Sequence, residues 1–232
     1  MIHLQNISKK YEDKVVLNIE DLQIPKGQSF GLVGNNGAGK TTMFSLLLDL
    51  IKPTSGHITN QEIQVNKSTS WKEFTSSYID ESFLIGYLTP DEYFDFIASL
   101  RGVNKTDLKE FLEQFEELFN GEILGVNKYL RDLSKGNQKK AGIVATLIGN
   151  PEVIILDEPF ANLDPSTQFR LKNILKTLNE NKEVTILISS HDLNHVTEVC
   201  ERIVVLEKGC MVKDMNRSEG ALQELEEFFK VE

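Results

Sequence analysis

The chain has only two cysteines, Cys200 and Cys210, in 232 residues, too few for a disulfide framework. They could pair in principle, but a free cysteine usually packs as a small buried hydrophobe, and that is the expectation for both. Long apolar runs are also missing. The longest uninterrupted ones, such as Val153 to Leu156, are the length of a strand, well short of the roughly 18 residues that mark a membrane span, so a soluble chain is expected. From Met1 to Tyr11 polar residues recur every second or third position, and Lys9 and Lys10 follow the apolar ones. That is the wrong order for a secretory signal, and a cytoplasmic location is the expectation. No long basic block occurs. With 35 acidic against 25 basic residues the net charge is −10, a poor match to a phosphate backbone, so nucleic acid is disfavoured as a partner.

What is present is a globular composition, 40% hydrophobic and 26% charged, far from the low hydrophobicity of disordered chains. Surface scaling gives roughly 10,600 Å² exposed when folded against about 38,000 Å² unfolded, so about 70% of the surface can be buried without a disulfide or metal staple. The first 33 residues read as strands: alternation around Ile2, Leu4 and Ile7, then Val15 to Ile24, a turn at Pro25, Lys26 and Gly27, and Phe30 to Val33. A glycine-rich loop and a helix from Gly39 to about Leu50 follow, then a strand pair over 57–65 and a short strand at Ser77 to Ile79. From Thr89 to Asn150 the pattern is helical. Thr89 caps, Pro90 takes the first helical position, and a second helix is expected from about Thr106 to Phe119 on an apolar stripe of Leu108, Phe111, Leu112, Phe115, Leu118 and Phe119. After Pro151 strand and helix alternate: 153–157, 165–178, 184–189, 193–200 and 202–207, the mark of a parallel sheet with crossover helices. A hairpin at Lys208 and Gly209 and an acidic helix over 218–230 complete the order. The Lys139 and Lys140 pair and the acidic stretch from Glu224 to Glu227 read as solvated helix faces.

Chemistry concentrates in a few places. Gly34, Asn35, Asn36, Gly37, Ala38, Gly39, Lys40, Thr41 and Thr42 fit GxxxxGK[ST] between a strand and a helix. Glycines let backbone N–H groups wrap phosphates, and the helix N-terminus adds its positive dipole end. Lys40 can reach the β- and γ-phosphates, and Thr41 offers a hydroxyl to Mg2+. A chance match in a chain of this length is roughly one in a hundred at average residue usage. Val153 to Asp157 is an apolar run ending in a carboxylate, as expected of a central parallel strand that delivers one acid to the ligand crevice. Asp157 can hold Mg2+, and the adjacent Glu158 can polarise an attacking water. Taken alone, this acid pair would read as a solvated strand end.

With these motifs in place, the whole chain resembles the ATP-binding cassette (ABC) ATPases. Leu133, Ser134, Lys135, Gly136, Asn137 and Gln138 resemble that family's signature sequence, with Lys135 where glycine is commonest and Asn137 where glutamine is. The resemblance implies that Ser134 and Gly136 contact the γ-phosphate bound by another subunit. Ala161, Asn162, Leu163 and Asp164 resemble the loop through which two subunits communicate, with Asp164 near the nucleotide; without the neighbouring motifs they would read as a plain cap before Pro165. His191 resembles the switch histidine that orients Glu158 and water, and Tyr11 the aromatic that stacks on adenine. Glu81 stands where the family usually has a metal-touching glutamine.

The resemblance implies an α/β fold: a P-loop NTPase (RecA-like) core with a parallel sheet, an N-terminal antiparallel β portion and an inserted helical subdomain. As one ABC ATPase domain it would divide into 1–79 with 151–214 as nucleotide-binding core, 80–150 as helical subdomain, and 215–232 as a helical tail. The implied cofactors are ATP and Mg2+, with Lys40, Glu158 and His191 catalytic, and Thr41, Asp157 and Glu81 at the metal. The implied partners are a second ABC ATPase subunit, in a homodimer or heterodimer, and an integral membrane transporter subunit at the inner face of the cell membrane. The short tail favours the exporter type. The alternatives are a soluble cassette ATPase acting on ribosomes or DNA, and a weakly hydrolysing regulatory partner.

Overall fold

A computed structural model of the chain describes residues 1–230. Strands β1 (Ile2–Tyr11), β2 (Lys14–Ile24) and β3 (Ser29–Val33) precede helix α1 (Lys40–Leu47). Next come β4 (Ser55–Asn60), β5 (Ile63–Gln64) and β6 (Thr75–Tyr78), then helices α2 (Pro90–Leu100), α3 (Lys105–Glu113), α4 (Glu116–Phe119) and α5 (Lys135–Leu147). The rest alternates β7 (Val153–Leu156), α6 (Pro165–Asn179), β8 (Thr185–Ser190), α7 (Leu193–Val199), β9 (Arg202–Glu207), β10 (Cys210–Asn216) and α8 (Ala221–Lys230).

The strands form one sheet in the order β5-β4-β1-β2-β10-β9-β3-β8-β7-β6. Strands β9, β3, β8, β7 and β6 are parallel, while β5, β4, β1 and β2 form an antiparallel wing. Strand β10 joins the halves, antiparallel to β9 and touching β2 at one pair, Cys210 with Asn18. Strands β3, β7 and β8 are buried at every residue, and β7 is apolar throughout, because both faces are covered. Ile154 and Leu156 of β7 and Ile186 and Ile188 of β8 pack with the helices α2 to α7, whereas Val153, Ile155 and Leu187 pack against α1 and the antiparallel wing. Parallel pairing sets the C-terminal ends of β3, β7 and β8 side by side, with Val33 opposite Ser190 and Leu156 opposite Ile188.

Three expectations need correction. The helix read from Thr106 to Phe119 is broken into α3 and α4. Gln114 N–H bonds back to Phe111 and Phe115 N–H to Leu112, tightening the last turn, and Phe115 leaves helical geometry at φ −107°, ψ 8°. The break lets Phe115, Leu118 and Phe119 all enter the core, where Phe119 meets Phe94 at 5.8 Å between ring centroids. No glycine or proline marks the spot, so packing alone decides it. Cys200 is buried beneath β3 as expected, but Cys210 is exposed on β10. Lys139 and Lys140 are not solvated: they are 5% and 6% exposed, because α5 is enclosed from Gln138 to Leu147. The acidic stretch of α8 does face outward at Glu224 and Glu227, while Leu225 anchors the helix in the core.

Candidate active site

Residues 34–39 turn from β3 into α1. Gly34 is required sterically, since a Cβ there would lie 2.3 Å from the Leu206 carbonyl oxygen. The loop closes on itself through Ala38 N–H to the Asn35 carbonyl, and Gly39, at φ 109°, releases the chain into α1. Asn35, Asn36 and Gly37 are exposed, Gly39 and Thr42 half-buried. A cleft of about 250 Å³ opens here, lined by Val16, Asn36, Gly37, Gly39, Lys40, Thr41, Thr42 and Glu158. Tyr11 is not among these lining residues. It ends β1, 52% exposed, with the Lys9 ammonium 4.7 Å from its ring centroid.

Lys40 lies folded into the loop. Its ammonium donates to the Gly34 carbonyl at 2.6 Å and the Asn35 carbonyl at 3.4 Å, and stands 3.3 Å from the Glu158 carboxylate. These are the groups a phosphate would displace or share. Strand β7 ends at Leu156 and delivers Asp157, which accepts from the Thr41 hydroxyl at 2.5 Å and from the Ser189 hydroxyl. Burial pushes the Asp157 carboxyl up, against the pull of those two hydrogen bonds and of Lys40. Thr41 and Asp157 together present hard oxygens, the donor set that holds a small divalent cation completed by phosphates and water. Among the described residues no cluster of three His, Cys, Asp or Glu could hold a metal on protein ligands alone. Glu81 does not join the pair: its carboxylate accepts from the Tyr78 hydroxyl at 2.9 Å, in the turn after β6.

Glu158 adopts a left-handed backbone, φ 46°, that costs a non-glycine residue about 1–2 kcal/mol. Its N–H donates to Ser189 Oγ at 2.9 Å, and its carboxylate is 2.9 Å from His191 Nδ1 and accepts weakly from the His191 N–H at 3.4 Å. Ser189 thus ties both acids to the end of β8. Sequence reading overlooked it, although a hydroxyl residue closing an apolar strand just before His191 is a visible signal.

Ser134 and Gly136 lie apart from the cleft. Ser134 caps α5 by accepting from Asn137 N–H, and Gly136 packs near Asn162 and Leu163; neither hydrogen-bonds with residues 34–42. Asp164 caps α6, accepting from the N–H groups of Ser166 and Thr167 at 3.0 Å each and from both their hydroxyls. The hydroxyls of Ser166 and Thr167 hold its carboxyl well below the usual carboxylate range. Asp164→Ala should therefore cost about 1 kcal/mol and lower Tm by roughly 2–4 °C, read by calorimetric melting. Because the folded pKa is depressed, this contribution is present above the ordinary carboxylate pKa. The gap between wild type and variant should close as pH falls below about 4.

A phosphate loop between a central parallel strand and a helix, with Thr41 and Asp157 in contact and Glu158 facing Lys40 and His191, defines a P-loop nucleoside triphosphatase. Residues 17–161 match the ABC transporter family, and the chain belongs to it. It is 37% identical over 226 residues to the uncharacterized ABC transporter ATP-binding protein YhaQ of Bacillus subtilis, covering 95% of this chain and 74% of that protein. Identity is 33% to the bacitracin transport ATP-binding protein BcrA of Enterococcus faecalis, over 94% of this chain and 70% of that one. The fold superposes on a dimeric post-hydrolysis structure of the ATP-binding cassette MJ0796 bound to ADP and Pi. The TM-score there is 0.83 at 25% identity, covering 94% of this chain and 99% of that one. The chain is an ATP-binding subunit of an ABC transporter. Among its described residues no helix is long and apolar enough to cross a membrane.

Proposed function

We propose that the chain hydrolyses ATP with Mg2+, in a dimer with a second ABC ATPase subunit, and drives a membrane-spanning partner from the inner face of the cell membrane. The observation that carries this reading is the convergence of Lys40, Glu158 and His191 at the mouth of the phosphate loop, with Glu158 3.3 Å from one and 2.9 Å from the other. The loop's N–H groups and Lys40 would bind the β- and γ-phosphates, Tyr11 would stack on the base, and Glu158 would take a proton from the attacking water. His191 would keep the Glu158 carboxylate turned toward that water. Thr41 and Asp157 would hold Mg2+, which supplies charge neutralisation on the phosphate oxygens when bound. Glu81, one of whose carboxylate oxygens accepts from the Tyr78 hydroxyl, would offer a further oxygen to that metal.

One chain holds one phosphate loop and one signature, and Ser134 and Gly136 are not bonded to the loop of their own chain. A second subunit's signature would therefore complete the γ-phosphate site, offering the N-terminus of its α5. The similarity to a dimeric cassette and to a bacitracin transport ATP-binding protein supports both partners. The test is affinity capture of the Glu158→Gln variant from native membranes with ATP present. Recovery of a polytopic membrane protein is expected; recovery of ribosomes in its place would overturn the transport reading.

A further inference from the structure

Helix α5, capped by Ser134, carries two adjacent lysines that the fold encloses almost completely. Removing an ammonium from water costs several kcal/mol unless it is held, so each head group should have a use. Lys140 reaches Glu122, at 3.4 Å, on the loop after α4. Lys139 turns the other way. Its ammonium donates to the Glu158 backbone carbonyl at 2.9 Å and lies 5.9 Å from the centroid of the Tyr78 ring, whose hydroxyl donates to Glu81.

We propose that Lys139 is a positioning residue for hydrolysis, holding the Glu158 peptide from the signature helix and linking it through Tyr78 to Glu81. Two side-chain groups bracket the Glu158 backbone: Ser189 accepts from its N–H and Lys139 donates to its carbonyl, which also accepts from the Ala161 N–H at 3.3 Å. Together they hold a left-handed backbone that would otherwise relax, and the direction of the Glu158 carboxylate toward Lys40 and His191 follows from it. The link has little slack. A Cβ on Gly142, one turn beyond Lys139 on the same face, would come within 2.4 Å of the Tyr78 ring, so α5 rests directly on Tyr78. A shift of α5 relative to the sheet therefore pulls on the Glu158 carbonyl. Burial lowers the Lys139 pKa, while the charges of Glu81, Glu158, Asp157 and Asp80 oppose that and favour the ammonium.

The proposal rests on Glu158 acting as the base, and the test separates the two. Steady-state kcat and KM for MgATP are measured on the full chain for wild type, Glu158→Gln, Lys139→Met, Lys139→Gln and Lys140→Met. Methionine is close in volume to lysine and suits an enclosed helix, but it cannot donate. Lys139→Met should lower kcat by about 10- to 100-fold with KM changed less than about twofold, as for a displaced catalytic group. Lys139→Gln, which restores a donor, should recover most of that loss. Lys140→Met should lower Tm and leave kcat near wild type. An unchanged kcat in Lys139→Met, or an equal loss in Lys140→Met, overturns the proposal while an inactive Glu158→Gln keeps the base assignment. Full turnover in Glu158→Gln would remove the base assignment itself. Should Lys139→Met fail to melt cooperatively, Lys139→Gln decides: the proposal requires its kcat to lie within about fivefold of wild type, with unchanged KM.

Discussion

Glu158→Gln is expected to lower the rate of ATP hydrolysis by about 10²- to 10⁴-fold, the range lost when a positioned general base is removed. The variant should fold and bind nucleotide normally. Gln has the shape of Glu, takes the same left-handed backbone, and keeps an oxygen to face His191 Nδ1, 2.9 Å away in the wild type. Only the proton-accepting charge is lost. Bound ATP should then persist, and the ATP-bound dimer should accumulate, visible in light scattering as a molar mass above the 26.3 kDa of one chain. Turnover at the wild-type rate would remove Glu158 from the reaction. A variant that binds ATP and stays monomeric would point to a different chain as its dimer partner.

Lys40→Ala should act earlier, on binding. The Lys40 side chain is 7% exposed and makes its contacts with the Gly34 and Asn35 carbonyls and the Glu158 carboxylate, all at the place where phosphates would sit. Loss of a buried charged partner costs about 3 kcal/mol, or roughly a hundredfold in Kd for MgATP. The cost is larger here because Glu158 then faces the γ-phosphate with no cation beside it. Arginine would not restore the site, since its planar fork cannot replace a point charge seated between two loop carbonyls. Equilibrium titration with a fluorescent ATP analogue measures the change. An unaltered Kd in a folded Lys40→Ala protein would remove the phosphate-loop assignment.

The parts of this site that were legible in the sequence are those fixed by local geometry. The glycines at 34 and 39 answer to a close approach and a positive φ, and the apolar run into Asp157 answers to a strand buried on both faces. Their spacing also brings Thr41 to Asp157 across 116 positions, because β3 and β7 both border β8. What stayed hidden depends on contacts between distant segments. Lys139 reads as surface because a helix enclosed on all sides has no polar face to set its lysines against, and its partner at Glu158 is 19 residues away. Glu81 reads as a metal ligand by position, yet its carboxylate is turned onto Tyr78. The break after Glu113 follows from Phe115, Leu118 and Phe119 all being buried in one core, with no turn residue to announce it.

Hydrolysis by this chain requires a triphosphate in the cleft lined by Lys40, and isothermal titration calorimetry of the folded wild-type chain with MgATP tests that most directly. Saturable binding of one nucleotide per chain is expected, weakened in Lys40→Ala. Protein that melts cooperatively yet gives no heat at any nucleotide concentration or at a second temperature would contradict it.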